Sequence, residues 1–116
     1  MNTLFVSHPI ALRHEMGDGH PECPDRLRAI EHALEGETFQ TLMRETSPMG
    51  TREQILRVHP EIYFTDLNEV APQEGYASVD GDTTMNPFTM EAAMRAVGGA
   101  CLAVDEVMTG KSDNAF

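Results

Sequence analysis

The pattern of apolar and polar positions begins with one strand and one amphipathic helix. The apolar, partly β-branched run Thr3–His8 precedes turn residues, as expected for a buried strand of a parallel sheet. Residues 9–22 are rich in His, Gly, Asp and Pro and are predicted to be mostly loop. A helix is then predicted from Pro24 to Gly36, because proline suits a first helical turn and glycine a helix end. Its apolar face comprises Leu27, Ile30 and Leu34.

The middle of the chain predicts two further helices. Residues 39–50 fit either a second short strand or irregular structure. Thr51 followed by Gln54 forms a capping box at the start of the next helix, whose apolar side comprises Ile55, Leu56 and Val58. Pro60 ends that helix and begins another. Residues 72–86 carry Gly, Asp and Thr without helical periodicity and are predicted to form a long loop.

The longest predicted helix runs from Pro87 to Thr109. Apolar residues recur along it at spacings of mostly three and four, and the stripe comprises Met90, Ala93, Met94, Val97, Cys101, Val104 and Met108. Gly98 and Gly99 interrupt the helix at a cost of about 1 kcal/mol each relative to alanine, so close approach to another backbone is predicted there. Residues 111–116 then predict the start of another strand. The order of the predicted strands and helices favours an α/β fold whose sheet is incomplete within this chain.

Composition narrows the classes of partner. The 116 residues fit one small domain spanning 1–116, with 41% hydrophobic and 23% charged residues. Eight basic against 19 acidic residues give a net charge of −11, which disfavours nucleic acid and anionic membranes and suits cationic ligands such as lysine side chains or polyamines. The two cysteines, Cys23 and Cys101, form no Cys-x-x-Cys pair, and Cys101 is predicted to be a small buried hydrophobe. With no apolar leader at the start, a cytoplasmic location is expected.

The loop between the first strand and helix concentrates the candidate chemistry, in the sequence HEMGDGHPECPDRL (residues 14–27). His8, His14 and His20 are six residues apart, without the His-Glu-x-x-His spacing of a zinc helix, so a metal held by this loop alone is not predicted. The prolines restrict the backbone, and Arg26 could pair with a nearby carboxylate. The residues alone favour a rigid connection over a functional site.

Four stretches in register resemble the zinc-dependent histone deacetylase and acetylpolyamine amidohydrolase family, in its bacterial, class II-like form. They are HEMGDGHPECPDRLRAI, REQILRVHPEIYFTDL, VDGDTTMNPFTMEAAMRAVGGA and MTGKSDNAF. The resemblance spans essentially the whole chain. It implies the amino-terminal part of the arginase/deacetylase-type three-layer fold, with a mostly parallel sheet.

The resemblance also implies roles for particular residues. His20 and Pro21 match the rim and wall of a tunnel for acyl-lysine, and Arg26 matches an arginine of an internal channel where leaving acetate is held. Asp82, or Asp80 if the loop aligns two residues differently, matches a rim carboxylate that accepts hydrogen bonds from substrate amides. The alternative for Asp-Gly-Asp-Thr is an Asx-type turn that bonds its own backbone.

The family's hydrolysis uses a zinc-bound water, a histidine base and, in most members, a tyrosine. The implied zinc ligands and catalytic residues lie downstream of the matched stretches, so this chain alone is expected to bind no zinc and to be inactive. Two functions remain open. One is the amino-terminal part of a deacetylase acting on acetyl-lysine or acetylpolyamine. The other is a non-catalytic module that binds a partner or self-associates through uncovered surfaces.

Overall fold

The computed structural model describes residues 1–116 and has strands and helices in the order of an α/β fold. The strands are β1 (Thr3–Ser7), β2 (Met43–Thr46), β3 (Ala77–Ser78), β4 (Thr84–Met85) and β5 (Asn114–Ala115). The α-helices are α1 (Pro24–Leu34), α2 (Arg52–Leu56), α3 (Glu61–Val70) and α4 (Thr89–Met108). Short 3-10 helices lie at Pro9–Arg13 and Glu37–Phe39. No helix combines the length and apolarity needed to cross a membrane.

The main sheet has three parallel strands in the order β2-β1-β5. Leu4 of β1 lies opposite Met43 on one side and Ala115 on the other, and its side chain is fully buried. The predicted strand is central in the sheet, but Leu4 is its one buried residue and the other four are half-buried. The strand alternative for residues 39–50 is the one observed, and the predicted strand at 111–116 is present as β5.

The predicted starts of α1 and α2 are confirmed. Pro24 occupies the first turn of α1, and α1 ends at Leu34, shortly before Gly36. At α2, the Thr51 side chain accepts from the Gln54 N–H at 3.1 Å, and the Gln54 side chain accepts from the Thr51 N–H at 2.9 Å. This is the predicted capping box, with both reciprocal bonds made.

The predicted apolar stripe of α4 is partly wrong. Ala93 is exposed, Val104 is 60% exposed and Met108 80%, and Cys101 is half-buried instead of buried. The buried positions are a set the stripe leaves out: Gly98, Gly99 and Glu106. The apolar period correctly predicts a helix. Gly98 and Gly99 are buried because they are small enough for close contact, whereas Glu106 is buried with its carboxylate 2.9 Å from Lys111 Nζ.

The glycine pair lies against the segment that follows β2, as predicted. A Cβ built on Gly98 would stand 2.0 Å from the Pro48 carbonyl oxygen, and one on Gly99 2.5 Å from Ser47 Oγ. The Gly50 N–H donates to the Met94 carbonyl oxygen at 2.7 Å, so backbone meets backbone. Only glycine permits this approach, and it fixes α4 beside the carboxyl end of β2.

Residues 72–86 are not an irregular loop throughout. Ala77 pairs with Met85 and Ser78 with Thr84, which makes β3 and β4 a small antiparallel hairpin. Two-residue strands carry no measurable period, so the pattern of apolar positions does not reveal them. Two further side chains differ from prediction, because Val58 is 79% and Ile30 42% exposed.

The molecule leaves much of its surface uncovered. Its accessible surface is 7692 Å², whereas a compact monomer of this mass has about 6300 Å². Its radius of gyration is 15.7 Å, against about 13 Å for a compact domain of this length. An apolar surface, the α4–β5 patch, lies where the end of α4 meets β5 and is formed by Ala103, Val104, Val107, Met108 and Ala115.

Candidate functional site

The carboxyl ends of the three parallel strands meet at one edge of the sheet, which is the edge where α/β folds bind ligands. After β1 the chain passes through a 3-10 helix into residues 14–23, called here the histidine loop. The hairpin and the start of α4 bring in residues 79–89, called here the aspartate loop. These two loops contact each other at two separate points.

His20 and Asp82 make the first contact. His20 Nε2 lies 3.0 Å from Asp82 Oδ1 and 3.2 Å from the Asp82 carbonyl oxygen. His20 Nδ1 accepts from the Glu22 N–H at 3.0 Å, so in the neutral imidazole the proton is on Nε2, which donates to Asp82. The Asp82 side chain is 94% exposed, against 22% for His20. The carboxylate therefore retains room to accept hydrogen bonds from a second molecule.

Asp80 has a different position from Asp82. Its Oδ1 accepts from the Asp82 N–H at 2.8 Å, which closes an Asx-type turn, and the Asp80 N–H donates to the Thr83 carbonyl at 3.3 Å. The Asp82 N–H, followed by bonds from Thr83, holds the pKa of the Asp80 carboxyl below its usual value of 3.8. Of the two carboxylates considered for the rim, Asp80 bonds its own turn and Asp82 faces the histidine loop.

A second contact joins the loops at their bases. His14 Nδ1 lies 2.7 Å from Thr89 Oγ1, and Asn86 Nδ2 donates to the Arg13 carbonyl at 2.8 Å. Asn86 Oδ1 also accepts from the Phe88 N–H at 3.1 Å and from Thr89 Oγ1 at 3.0 Å. Because Asn86 is buried, its satisfied amide gives this junction a defined geometry.

The Arg13 guanidinium adds a cation–π contact to the same junction. Its Cζ lies 3.9 Å from the centroid of the Phe88 ring.

Sequence reasoning considered His14 only as a metal candidate and did not identify Asn86 or Thr89. The sequence feature that could have identified this junction is Asn86, a polar residue directly before Pro87 at the predicted helix start.

Arg26 and Pro21 lie in the predicted region but outside the His20–Asp82 contact. Pro21 is exposed directly after His20. The Arg26 guanidinium is about half exposed and pairs with Glu22, with Nη2 and Oε1 3.1 Å apart. This is the nearby carboxylate that the sequence offered as the simpler role. The channel role of Arg26 stays a prediction.

The histidines of this chain do not fit a zinc site. His8 Nδ1 accepts from the Ile10 N–H at 3.0 Å, while His14 bonds Thr89 and His20 bonds Asp82. Three or more His, Cys, Asp or Glu side chains come together nowhere in the structure as a metal-holding group.

Comparison with known proteins places this geometry in a family. The sequence pattern of the family described as Histone deacetylase domain matches residues 20–116. This chain belongs to that family. The histone deacetylase match includes His20, Arg26 and Asp82, and so covers the end of the histidine loop, all of α1 and all of the aspartate loop.

Individual histone deacetylase relatives agree. The chain is 32% identical over 100 residues to the histone deacetylase-like amidohydrolase of Pseudomonas aeruginosa, covering 84% of this chain and 26% of that protein. It is 29% identical over 119 residues to a probable deacetylase of Archaeoglobus fulgidus, covering 100% and 33%. The crystal structure of the HDA15 HD domain superposes with a TM-score of 0.89 at 25% identity, covering 100% and 34%.

The structural match confirms the predicted fold, an α/β arrangement with a parallel sheet. The chain spans between about a quarter and a third of the length of these relatives. The three-stranded sheet is thus a small part of the histone deacetylase fold, which accounts for the surface left uncovered.

Proposed function

We propose that this chain forms the amino-terminal part of a zinc-dependent deacetylase that hydrolyses N-acetyl amides, with acetyl-lysine or acetylpolyamine as the substrate class. The observation that carries the proposal is the contact between His20 and Asp82. It joins two residues that are 62 positions apart in sequence and for which the family resemblance implies one tunnel rim. Family membership supplies the reaction class.

In this proposal Asp82 binds substrate at the rim. An ionised carboxylate only accepts hydrogen bonds, so it suits backbone amides or a cationic amine. His20 occupies one of its oxygens, which leaves the other for the substrate. The net charge of −11 also favours the binding of cationic over anionic substrates.

The zinc and the groups that activate water belong, in this proposal, to residues of the complete enzyme outside these 116. The engaged histidines support this division of roles, since each would have to give up a hydrogen bond to bind metal. These 116 residues alone are accordingly proposed to be inactive. The free state of both cysteines fits a reducing, cytoplasmic location.

A chimera tests the rim role. This chain replaces the matching part of the Pseudomonas aeruginosa histone deacetylase-like amidohydrolase, and deacetylation of an acetyl-lysine peptide and of an acetylpolyamine is measured. Asp82→Asn should raise KM about tenfold, as expected for losing a charge-assisted hydrogen bond, with kcat changed much less. Asp66→Asn, an exposed carboxylate on α3, is the matched control and should leave both values unchanged. Equal KM for the two variants contradicts the rim role.

The isolated chain tests the metal assignment. The purified 116 residues should bind no stoichiometric zinc and should not turn over the same substrates. Zinc binding with turnover would show that the metal assignment is wrong and would make His8, His14 and His20 the ligands to mutate first.

One observation supports a second candidate, a module that binds a partner or associates with itself. Val104 and Met108 of the α4–β5 patch are 60% and 80% exposed, and β5 is paired on one side only. Exposed apolar patches beside a free strand edge are typical of interaction surfaces. Sedimentation velocity of the isolated chain separates this candidate from the first, since self-association predicts a weight-average mass that rises with concentration.

A further inference from the structure

Asn86 is a buried polar residue at the point where the histidine loop and the aspartate loop meet at their bases. Its Nδ2 donates to the Arg13 carbonyl, 73 residues away in sequence, at 2.8 Å. Its Oδ1 accepts from the Phe88 N–H at 3.1 Å and from the Thr89 hydroxyl at 3.0 Å. The side chain thus makes one hydrogen bond across the molecule and two within its own turn.

The two kinds of hydrogen bond make different demands on the side chain. A carboxylate would accept from the Phe88 N–H and the Thr89 hydroxyl as an amide oxygen does, and turns of this kind are made by aspartate and asparagine alike. Only an amide also donates, and the Arg13 carbonyl needs a donor. The start of α4 therefore does not require asparagine at this position, whereas the link to the histidine loop does.

The same amide fixes the direction of the next hydrogen bond, between Thr89 and His14. Since Asn86 Oδ1 carries no hydrogen, the Thr89 hydroxyl donates its one proton to it. Thr89 Oγ1, 2.7 Å from His14 Nδ1, is then an acceptor, so His14 Nδ1 carries a proton. The neutral His14 ring is thus the Nδ1–H tautomer, whereas His20 is the Nε2–H tautomer because its Nδ1 accepts from the Glu22 N–H.

The middle of the histidine loop has few contacts that could hold it in place. Residues 15–19 make no backbone hydrogen bond outside the loop. Gly17 and Gly19 have positive φ angles, and nothing lies within 4 Å of a Cβ built on either. The position of His20 therefore depends on the two ends of the loop, which are α1 and the link at Asn86. Because this link shortens the free segment, it lowers the entropic cost of the rim contact.

We propose that Asn86 is a positioning residue for the rim. It links the base of the histidine loop to the start of α4, directly and through Thr89, and thereby holds His20 against Asp82. The effect on substrate rests on the proposed rim function, whereas the link itself is a property of the isolated chain. Since Asn86 acts through the rim contact and touches no substrate, its loss should raise KM and leave kcat nearly unchanged.

Asn86→Asp separates the link from the turn. The variant keeps both acceptor bonds of the turn but places an oxygen opposite the Arg13 carbonyl oxygen, so the link is lost. The matched control is Asn68→Asp on α3, because Asn68 Nδ2 also donates to a backbone carbonyl, that of Phe64, at 2.7 Å. The control adds the same charge to the chain and removes the same kind of hydrogen bond away from the rim.

The link is tested in the 116-residue chain by ¹H and ¹⁵N NMR of the neutral histidine rings. A nuclear Overhauser contact between the His20 ring and the Asp82 side chain is expected in the unaltered chain and in the control variant. It should weaken at least about threefold in Asn86→Asp, as a longer free loop makes the contact less favourable. The His14 ring should be the Nδ1–H tautomer in all three, since the carboxylate still accepts the threonine proton.

Thr89 supplies a second pair of variants, which serves if Asn86→Asp fails to fold. Thr89→Val has nearly the same shape without the hydroxyl, so the His14 ring should lose its preference for the Nδ1–H tautomer and the rim contact should weaken. Thr89→Ser keeps the hydroxyl and should retain both. A role confined to the packing of α4 would leave the tautomer of His14 unchanged in every variant.

The effect on substrate is measured in the chimera with the Pseudomonas aeruginosa amidohydrolase. Asn86→Asp should raise KM about three- to tenfold with kcat changed by less than about twofold, and Asn68→Asp should change neither. In a chimera that already carries Asp82→Asn, Asn86→Asp should raise KM no further, because its effect passes through Asp82.

Several results would overturn the proposal. They are an unweakened contact between His20 and Asp82 in folded Asn86→Asp, an Nε2–H tautomer of His14 in the unaltered chain, and effects of Asn86→Asp and Asp82→Asn on KM that multiply. A fall in kcat at constant KM would also contradict it. If Asp82→Asn alone leaves KM unchanged, the rim function has failed instead, and the NMR contact in the isolated chain still decides whether Asn86 positions the loop.

Discussion

Asp80 and Asp82 lie in the same turn, two residues apart, and have different partners. The Asp80 carboxylate accepts the Asp82 N–H, whereas the Asp82 carboxylate reaches His20 across the gap between two loops. The sequence offered a rim carboxylate and an Asx-type turn as alternatives for this stretch, and left open whether Asp82 or Asp80 matches the rim. The choice depends on the direction of each side chain in the folded turn, which a one-dimensional pattern does not contain.

The Asp80 turn should weaken in acid. Its carboxyl has a lowered pKa, so the stability it contributes is fully present above the usual value of 3.8 and is lost as pH falls through the lower, folded value. We expect the Asp80 carboxyl carbon to titrate by NMR with a midpoint below 3.8, and the Asp82 amide proton to shift with the same midpoint.

Two variants check the acid effect at Asp80. Asp80→Ala should abolish the acid titration of the Asp82 amide, because the acceptor is gone. Asp66→Ala, on exposed α3, should leave it intact. A midpoint at or above 3.8 for Asp80 would contradict the role of this hydrogen bond.

At the scale of elements, the sequence correctly predicted those features that depend only on residues a few positions apart in the chain. The capping box at Thr51 needs only residues three apart, and Pro24 fixes its own backbone angle, so both helix starts were predictable. The hairpin of β3 and β4 was missed because each strand has two residues. The buried side of α4 was partly missed because it is chosen by the segment after β2, which is distant in sequence.

Gly98 on α4 provides a direct test of that packing. Alanine is favoured over glycine by about 1 kcal/mol in a helix interior, so Gly98→Ala would be stabilising if nothing lay nearby. A Cβ there would stand 2.0 Å from the Pro48 carbonyl oxygen, which is backbone and cannot rotate away. We therefore expect Gly98→Ala to destabilise the fold by about 1 to 3 kcal/mol in urea unfolding.

Gly81→Ala is the matched control for Gly98→Ala. No atom lies within 4 Å of a Cβ built at Gly81, and its backbone angle suits any residue. Its unfolding free energy should change by less than about 0.5 kcal/mol. If Gly98→Ala is as stable as this control, the close approach of α4 to Pro48 is wrong.

At the scale of the whole molecule, uncovered surface is the dominant feature. The relatives are about three to four times longer, which is consistent with further parts of the fold lying against these faces in the complete domain. The sequence indicated this incompleteness correctly, since one apolar strand with several amphipathic helices cannot form a full sheet. It did not indicate where the uncovered apolar residues would lie, because Val104 was predicted to be core and is 60% exposed.

Self-association through the α4–β5 patch should respond to a single polar residue. If the isolated chain dimerises symmetrically through this patch, Met108→Gln removes one large apolar side chain from each protomer and should raise the dimer dissociation constant about a hundredfold. Val58→Gln changes an equally exposed residue elsewhere and should leave the constant unchanged. Sedimentation equilibrium measures both, and an equal effect of the two variants would place the interface elsewhere.

The contact of Gly98 with Pro48 also fixes the point about which α4 could tilt. Since a helix rises about 1.5 Å per residue, the nine residues from Gly98 to Thr89 form an arm about 13 Å long. A tilt of about 5° around Gly98 would move Thr89, with His14 bonded to it, by about 1 Å perpendicular to the helix axis. We therefore expect a substitution near Pro48 to shift Thr89 and the bonded His14 without altering the sequence of either loop.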